Sequence, residues 1–372
     1  MAQYGGFGGF GGFGGFGGFG GFGGFGGFGG GTNFTGLGSF LGAQDAGGYD
    51  PATTLGLQTT AEGLRHLSET AATPTVAELP FSDASNLVGL ATWVRGSLYL
   101  SEFLAGVTAT AVPANGDAPA KVSFGFDGQT GATFARPDQA LLRDQCGLVV
   151  QYAALRAERS AEVTSQLGFP TPYFSMILGL HQAHHGKTFE LITATQVAAA
   201  HAAMIVKHHL AVRRPDQLDA RIMPMIPTPG HGSFPSAHAT EAYAVLTVLE
   251  ALSNDWGTLA DMDERIASLR GLAERIAVNR TVAGVHYPVD SWAGAILGSF
   301  VGRAVLHRAG RAVPISPANF AAKNTDFFDL EFRDPATAVA AGLSYAANSV
   351  TLDAKPALSW LYQRALSEAQ GA

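Results

Sequence analysis

The stretch Phe234-Pro235-Ser236-Ala237-His238-Ala239-Thr240-Glu241-Ala242-Tyr243 decides how this chain is read. Pro235 fixes a turn, Ser236 follows it, and His238 falls where an apolar run begins. Tyr243, Leu246, Val248 and Leu249 continue that run at helical spacing. His238 therefore stands at a helix N-terminus, where free backbone N–H groups and the helix dipole favour an anion. Taken alone, the stretch also reads as an ordinary N-cap serine beside a surface histidine, and that plainer reading leads until its flanks are added.

Outward from this helix the chain reads as helix after helix. The apolar spacing and the Pro and Gly breaks predict helices over 137–166, 171–184, 193–212, 236–254, 259–279, 288–308, 335–346 and 353–369. Residues 86–112 also look helical, and a helix is expected over 59–70. Residues 113–135, where Val122, Phe124 and Phe126 alternate, are expected to be a loop or a short strand pair. The expected fold class is all-α, a helical bundle.

Composition narrows the classes. The chain has 372 residues, 47% hydrophobic and 14% charged, with a net charge of -7. That is enough apolar chain for a substantial core. The negative balance argues against non-specific nucleic-acid binding. Cys146 is the one cysteine, so no disulfide framework forms within the chain; its apolar surroundings predict a buried, inert thiol. The start Met1-Ala2-Gln3-Tyr4 is unlike a standard signal peptide, and no membrane span is expected, Ser291 to Leu306 being short and carrying Arg303. The expectation is a soluble protein of undecided compartment.

Residues 5–30 repeat Gly-Gly-Phe with period three, from Phe7 to Phe28. Glycine's backbone entropy favours a flexible tail. The period also matches a three-residue-per-turn rod with one aromatic edge, which would suit assembly of copies through residues 5–30 into a homo-oligomer. The expected organisation is a low-complexity tail over 1–45 and a helical domain over 46–372, with its active-site core at 193–308.

Two further blocks flank the opening stretch. Lys207 and Arg214 are seven apart, before Pro215; on a continuing helix they would share one face and favour an anion between them. Downstream, Asn279-Arg280-Thr281-Val282-Ala283-Gly284-Val285-His286-Tyr287-Pro288-Val289-Asp290 adds a third cation, a second histidine and a carboxylate able to hold it.

Lys-x6-Arg-Pro, then Pro-Ser-x-His, then Arg-x5-His-x3-Asp resembles the signature shared by type 2 phosphatidic acid phosphatases, class A acid phosphatases and vanadium-dependent haloperoxidases. The resemblance covers residues 207–290 and implies a helical bundle. It departs at Ala237, where the family usually has glycine, and at Asn279, where it usually has serine. It implies that Lys207, Arg214, Ser236, Ala237, His238, Arg280 and His286 hold a tetrahedral oxyanion. In a haloperoxidase reading His286 is the ligand to vanadium, the cofactor is vanadate, and His238 is acid–base on bound hydrogen peroxide, which oxidises halide for a small organic acceptor. In a phosphatase reading His286 is the nucleophile toward a phosphomonoester, Asp290 orients it and His238 protonates the leaving alcohol. His231, seven residues before His238, is similar to a second histidine of the algal bromoperoxidases, which makes it a candidate halide residue and tilts the expectation toward bromide oxidation. A self-assembling structural role for the tail is the third reading. His181, His184 and His185 lie at i, i+3 and i+4, a metal-ligand spacing with Glu190 nearby, but also that of a surface cluster or a pocket wall. His208 and His209 are expected close behind the site.

Overall fold

Three long helices that are apolar on most of their circumference can be stable only inside a protein. They are α6 (Gly186–Leu210), α7 (Ala237–Trp256) and α9 (Pro288–Arg308), and α8 (Met262–Val282) joins them with a charged, largely exposed first half and a buried end. Around them lie α1 (Pro51–Leu64), α2 (Thr92–Leu104), α3 (Gln139–Tyr152), α4 (Arg156–Ser165), α5 (Thr171–Leu178), α10 (Asp329–Arg333), α11 (Pro335–Ala340) and α12 (Pro356–Ser367). These come from a computed structural model that describes residues 51–66, 77–257 and 259–370. The Gly-Gly-Phe repeat lies outside the described residues, and one hydrophobic core runs from Leu87 to Ala365.

The bundle is not purely helical. Strands β1 (Val107–Val112), β2 (Lys121–Phe126), β3 (Gln129–Ala135), β4 (Ala318–Phe320) and β5 (Leu343–Tyr345) form one sheet in sequence order. All neighbours are antiparallel except β3 and β4, which are parallel. The expected strand pair is β2–β3. The helix expected over 86–112 ends instead at Leu104, and Val107-Thr108-Ala109-Thr110-Ala111-Val112 pairs residue by residue with β2. Its β-branched residues suit a pleated surface. The helix expected over 335–346 stops at Ala340 because Gly342 has φ +102 and passes so close to the 320s that a Cβ there would lie 2.0 Å from the Ala321 carbonyl oxygen. The expected 171–184 helix ends at Leu178, with Gly179 left-handed at its C-cap. Toward the N-terminus the helix is Pro51–Leu64 rather than 59–70.

The sheet's inner face packs on α9. Phe124 and Phe126 meet Phe300 with ring centroids 6.2 Å and 5.9 Å apart, and Gly131 lies under the same ring. Cys146 is buried, with its thiol pushed up to about 11 by burial, as an inert core thiol should be.

Of the described helices, only α6 with its extension to Gln217 is long and apolar enough to cross a membrane, and 83% of its apolar window is buried inside this fold. Its apolarity is accounted for by its central place.

The closest approach is between α7 and α9. Gly294, Gly298 and Gly302, one turn apart, face α7. A Cβ at Gly294 would lie 2.7 Å from the Ser236 carbonyl oxygen, at Gly298 2.3 Å from that of Thr240, and at Gly302 2.7 Å from that of Ala244. The contacts are with backbone, which cannot yield by a rotamer change. Gly298→Ala is therefore expected to lower the melting temperature by about 5 °C or more. Gly271→Ala is the control: that glycine is exposed on α8 with nothing within 4 Å of its Cβ position, and the change should leave stability equal or higher. Thermal unfolding of the two variants checks both.

Candidate active site

The three sequence blocks occupy helix ends that converge. Lys207 is in the last turn of α6, Arg280 in the last turn of α8, His238 in the first turn of α7 and Asp290 in the first turn of α9. Lys207 and Arg214 do not share a helical face as the spacing suggested. The helix ends at Leu210, Ala211 turns the chain at φ 48, and Arg214 enters from the segment beyond. The backbone N–H of Ser236 donates to the carbonyl of Asp290 at 2.9 Å, tying the two opening turns together across the glycine contact.

His286 and Asp290 form the centre. His286 Nδ1 lies 2.7 Å from Asp290 Oδ2, and both side chains are buried. The same oxygen accepts from Ser233 Oγ and from the Tyr287 backbone N–H at 3.0 Å. A carboxylate at Nδ1 keeps the proton there, so the lone pair is on Nε2. Nε2 faces Arg214, whose Nη1 is 2.9 Å away and also donates to the Val285 carbonyl at 2.6 Å. Burial first, then the charges of Arg214 and Lys207, hold His286 well below the usual imidazole range, so it is neutral. Burial pushes Asp290 up to about 6, against the stabilising pull of Ser233 and Lys207.

The cations are as buried as the core. Lys207, Arg214 and Arg280 are each no more than 2% exposed. Lys207 Nζ donates to the carbonyls of Gly232 and Ser233 at 2.9 and 2.8 Å. Burial and then Arg214 lower its ammonium well below the ordinary value. Arg214 and Arg280 are both lowered to about 10, chiefly by burial, and stay charged at neutral pH. Arg280 Nη2 donates to the Val163 carbonyl at 3.2 Å, while its Nε and Nη1 are buried with no partner among the described residues. A buried guanidinium with two unused donors is costly unless an acceptor completes it.

The remaining histidines sit around this charge. His238 Nε2 donates to the Gln166 carbonyl at 2.9 Å. Burial and then Arg280 keep it well below the usual range. His231 Nδ1 lies 3.1 Å from Arg214 Nη2, which donates, and 3.0 Å from the Gly232 carbonyl oxygen, which accepts, so these two partners do not fix its tautomer. Its Nε2 is buried without a partner among the described residues. Burial and then Lys207 push His231 down to about 3. Ser236 caps α7, its hydroxyl accepting from Ala239 N–H, and Ala237 is the first helical residue, so its N–H belongs to the turn that has no intrahelical acceptor. The alanine in place of glycine keeps a negative φ and thereby its N–H in place.

Lys207, Arg214, Ser236, Ala237, His238, Arg280, His286, Asp290 and His231 are thus brought together. Ser233 and Gln166 were not foreseen. Ser233 steadies Asp290, and its hydroxyl is 3.4 Å from His286 Nδ1. Gln166 carries the carbonyl under His238, and its side chain accepts from Arg280 Nη2 at 3.4 Å and Asn279 Nδ2 at 3.0 Å. Asn279 also donates to Glu162 at 2.8 Å, so it braces the wall. Ser233 had only its place beside the Pro-Ser block as a signal; Gln166 lies forty residues before any block and had none.

His181, His184 and His185 are not on a helix. They lie in the turns after α5, with the His181 N–H donating to His185 Nδ1 at 2.9 Å. Glu190 is engaged instead by Arg95 and Lys187. Among the described residues no group of three His, Cys, Asp or Glu is arranged to hold a metal ion. His208 and His209 are exposed and pack on each other.

Residues 189–313 match the PAP2 superfamily. Two curated relatives, the decaprenylphosphoryl-5-phosphoribose phosphatases of two strains of Mycobacterium tuberculosis, are each 32% identical over 116 residues, 31% of this chain and 58% of theirs. The chain therefore spans a little over half the length of the curated relatives it matches. Both are phosphatases by name, which moves the weight of the comparison away from the haloperoxidase expectation. The matched segment runs from α6 through α9, the helices whose ends hold every block of the signature, and so the chain carries a domain of the PAP2 superfamily, which is that of the phosphatases and haloperoxidases.

Proposed function

We propose that the protein is a phosphatase that hydrolyses phosphomonoesters through a phosphohistidine on His286. The observation that supports this most is the tautomer of a neutral, buried His286, fixed by Asp290, in a pocket where Arg280 has two buried donors with no acceptor of their own among the described residues. A phosphoryl group supplies the missing acceptors. The phosphatase relatives support the same choice.

In this reading His286 Nε2 attacks phosphorus, a P–N bond forms, and the bond to the leaving alcohol oxygen breaks. Lys207, Arg214, Arg280 and the Ala237 N–H hold the non-bridging oxygens as charge shifts onto them. Asp290 steadies the positive charge that develops on the His286 ring. His238 gives a proton to the leaving oxygen. In the second step water attacks phosphorus, His238 takes a proton from it, the P–N bond breaks to restore His286, and inorganic phosphate leaves. His238 is neutral without substrate, so the proton it gives is taken up from solvent as the substrate binds: a phosphate dianion beside the ring offsets Arg280 and raises its affinity for a proton. Vanadate is held by the same donors as a five-coordinate mimic, and is therefore expected to inhibit.

Turnover of p-nitrophenyl phosphate, with orthovanadate as a competitive inhibitor, is the direct test. Vanadate-dependent bromination without phosphate release would overturn the proposal. His286→Ala should abolish release, and the acid-labile 31P phosphohistidine signal should be lost with it. Arg280→Ala should weaken inorganic phosphate binding roughly a hundredfold by calorimetry, since two charge-assisted bonds are removed.

The pH profile has a defined sign. His286 stays neutral until far below neutrality, so it does not set the acid limb. Asp290 loses its charge as pH falls through about 6 and with it the hold on Nδ1–H. The rate should therefore fall on the acid side near pH 6. Asp290→Asn should remove that limb and lower kcat by about a hundredfold or more. His231, down at about 3, does not titrate in this range. His231→Phe should lower kcat/KM without moving the limb; a shifted limb would make His231 the proton donor instead.

A further inference from the structure

A second cavity lies between the far halves of α7 and α9. It has a volume of about 580 Å³, which is within the range of small-molecule sites. Arg303, on its wall, is thirteen residues beyond Asp290 on α9, roughly 20 Å along the helix axis. The cavity is therefore separate from the pocket that holds His286. Its floor is apolar, with Ile296, Phe300 and Ile315, and Asn254, Ser299 and Ser316 add neutral polar groups.

The charge on this wall is unlike the rest of the molecule. The whole chain is at -7, yet Arg270, Arg303, Arg311 and Arg333 line one cavity with Glu250 as the one acidic residue among its lining. Glu250 is engaged by Arg270 at 2.6 Å and lies 3.7 Å from Arg333. Two of the arginines are held from behind the wall. Asp255 pairs with Arg311 at 2.7 Å and also accepts from Tyr362; Asp329 pairs with Arg333 at 2.7 Å and also accepts from Tyr243. Neither carboxylate is on the lining. Four guanidinium groups against these three carboxylates leave one positive charge. Arg303 is the group that carries it: it is half-buried and has no hydrogen-bond or ion-pair partner among the described residues.

Arg311 spends Nε and Nη2 on Asp255 and Nη1 on the Ala312 carbonyl, so it gives the wall charge rather than a free fork. Arg333 is held through Nε by Asp329, and guanidinium groups of this kind match carboxylate and phosphate oxygens. Glu250 repels an anion, and its two arginine neighbours offset that. We propose that this cavity is a binding site for a small polar organic anion, bearing a carboxylate or a phosphate, with Arg303 as its anchor and Arg333 as a supporting donor. The site is independent of the phosphatase reading, because nothing in it touches the catalytic residues.

Phosphonoacetate is a suitable probe: it carries both headgroups and its C–P bond resists hydrolysis. Calorimetric titration of the full-length Arg280→Ala variant, whose oxyanion pocket is weakened, should show one remaining site. Adding Arg303→Ala should weaken that site at least tenfold, and Arg303→Lys should restore part of it. In the otherwise unaltered chain Arg303→Ala should leave p-nitrophenyl phosphate turnover and melting temperature unchanged. An isotherm that does not respond to Arg303→Ala would overturn the proposal. Equal affinity for inorganic phosphate would also overturn it, because the organic body would then contribute nothing. Loss of turnover without any binding by phosphonoacetate would return Arg303 to a structural role.

Discussion

The structure depends on how closely α7 can lie against α9. Where Gly294, Gly298 and Gly302 pass the carbonyls of Ser236, Thr240 and Ala244, even a methyl group would overlap backbone atoms. That approach sets the position of both helix starts. Ser236 N–H reaches the Asp290 carbonyl, and the opening turn of α7 is thereby fixed beside the carboxylate that holds His286. A looser crossing would separate the N–H groups of α7 from the nucleophile by the same amount. Precision at the site is therefore set by packing three turns deep, not by the site residues themselves.

The second constraint is electrostatic. Three cations and two histidines are buried, with His231 half-buried, around one carboxylate whose own burial favours its neutral form. In a buried pocket the protein answers such a surplus in two ways. Imidazoles stay uncharged, as His286, His238 and His231 do, and backbone carbonyls take up donors, as those of Gly232, Ser233 and Val285 do. Among the pocket's side chains the described residues leave Arg280 Nε and Nη1, His231 Nε2 and Asp290 Oδ1 without a partner. The two open donors of Arg280 call for an acceptor, and a tetrahedral anion would supply it, so that a shortage that costs stability would provide binding.

The sequence made the chemistry legible because the chemistry is carried by rare residue types at fixed offsets from helix ends. Arg280, His286 and Asp290 had to fall near one another once a helix ended before His286 and another began after Pro288. The same logic failed for Lys207 and Arg214, where a continuous helix was assumed and Ala211 in fact turns the chain. Beyond the pair β2–β3, the short strands of the sheet were invisible for a different reason. Ala318–Phe320 and Leu343–Tyr345 are three residues long, too short for any period to register, and Ala318–Phe320 pairs with Ala132-Thr133-Phe134, far earlier in the chain. Gln166 was invisible because its contribution to His238 is a backbone carbonyl, which any residue could offer. The Gly-Gly-Phe repeat, the most regular signal of all, lies outside the described residues.

Proton placement unites these observations. Asp290 holds Nδ1 of His286, and the Gln166 carbonyl holds Nε2 of His238. The commitments differ in kind. A carboxylate leaves the lone pair of His286 on Nε2, where Arg214 Nη1 donates to it at 2.9 Å, and the proposed attack requires that donor to turn to the phosphoryl group. A carbonyl leaves His238 able to gain a proton on Nδ1 when negative charge arrives. In the proposed reaction two copies of one side chain would thus serve as nucleophile and conditional acid, through the partner on the other nitrogen. That assignment holds only while Asp290 is ionised, and Asp290 is the group that the same burial brings to the edge of protonation. The pocket's dryness sharpens every other interaction in it and is also what limits the site on the acid side.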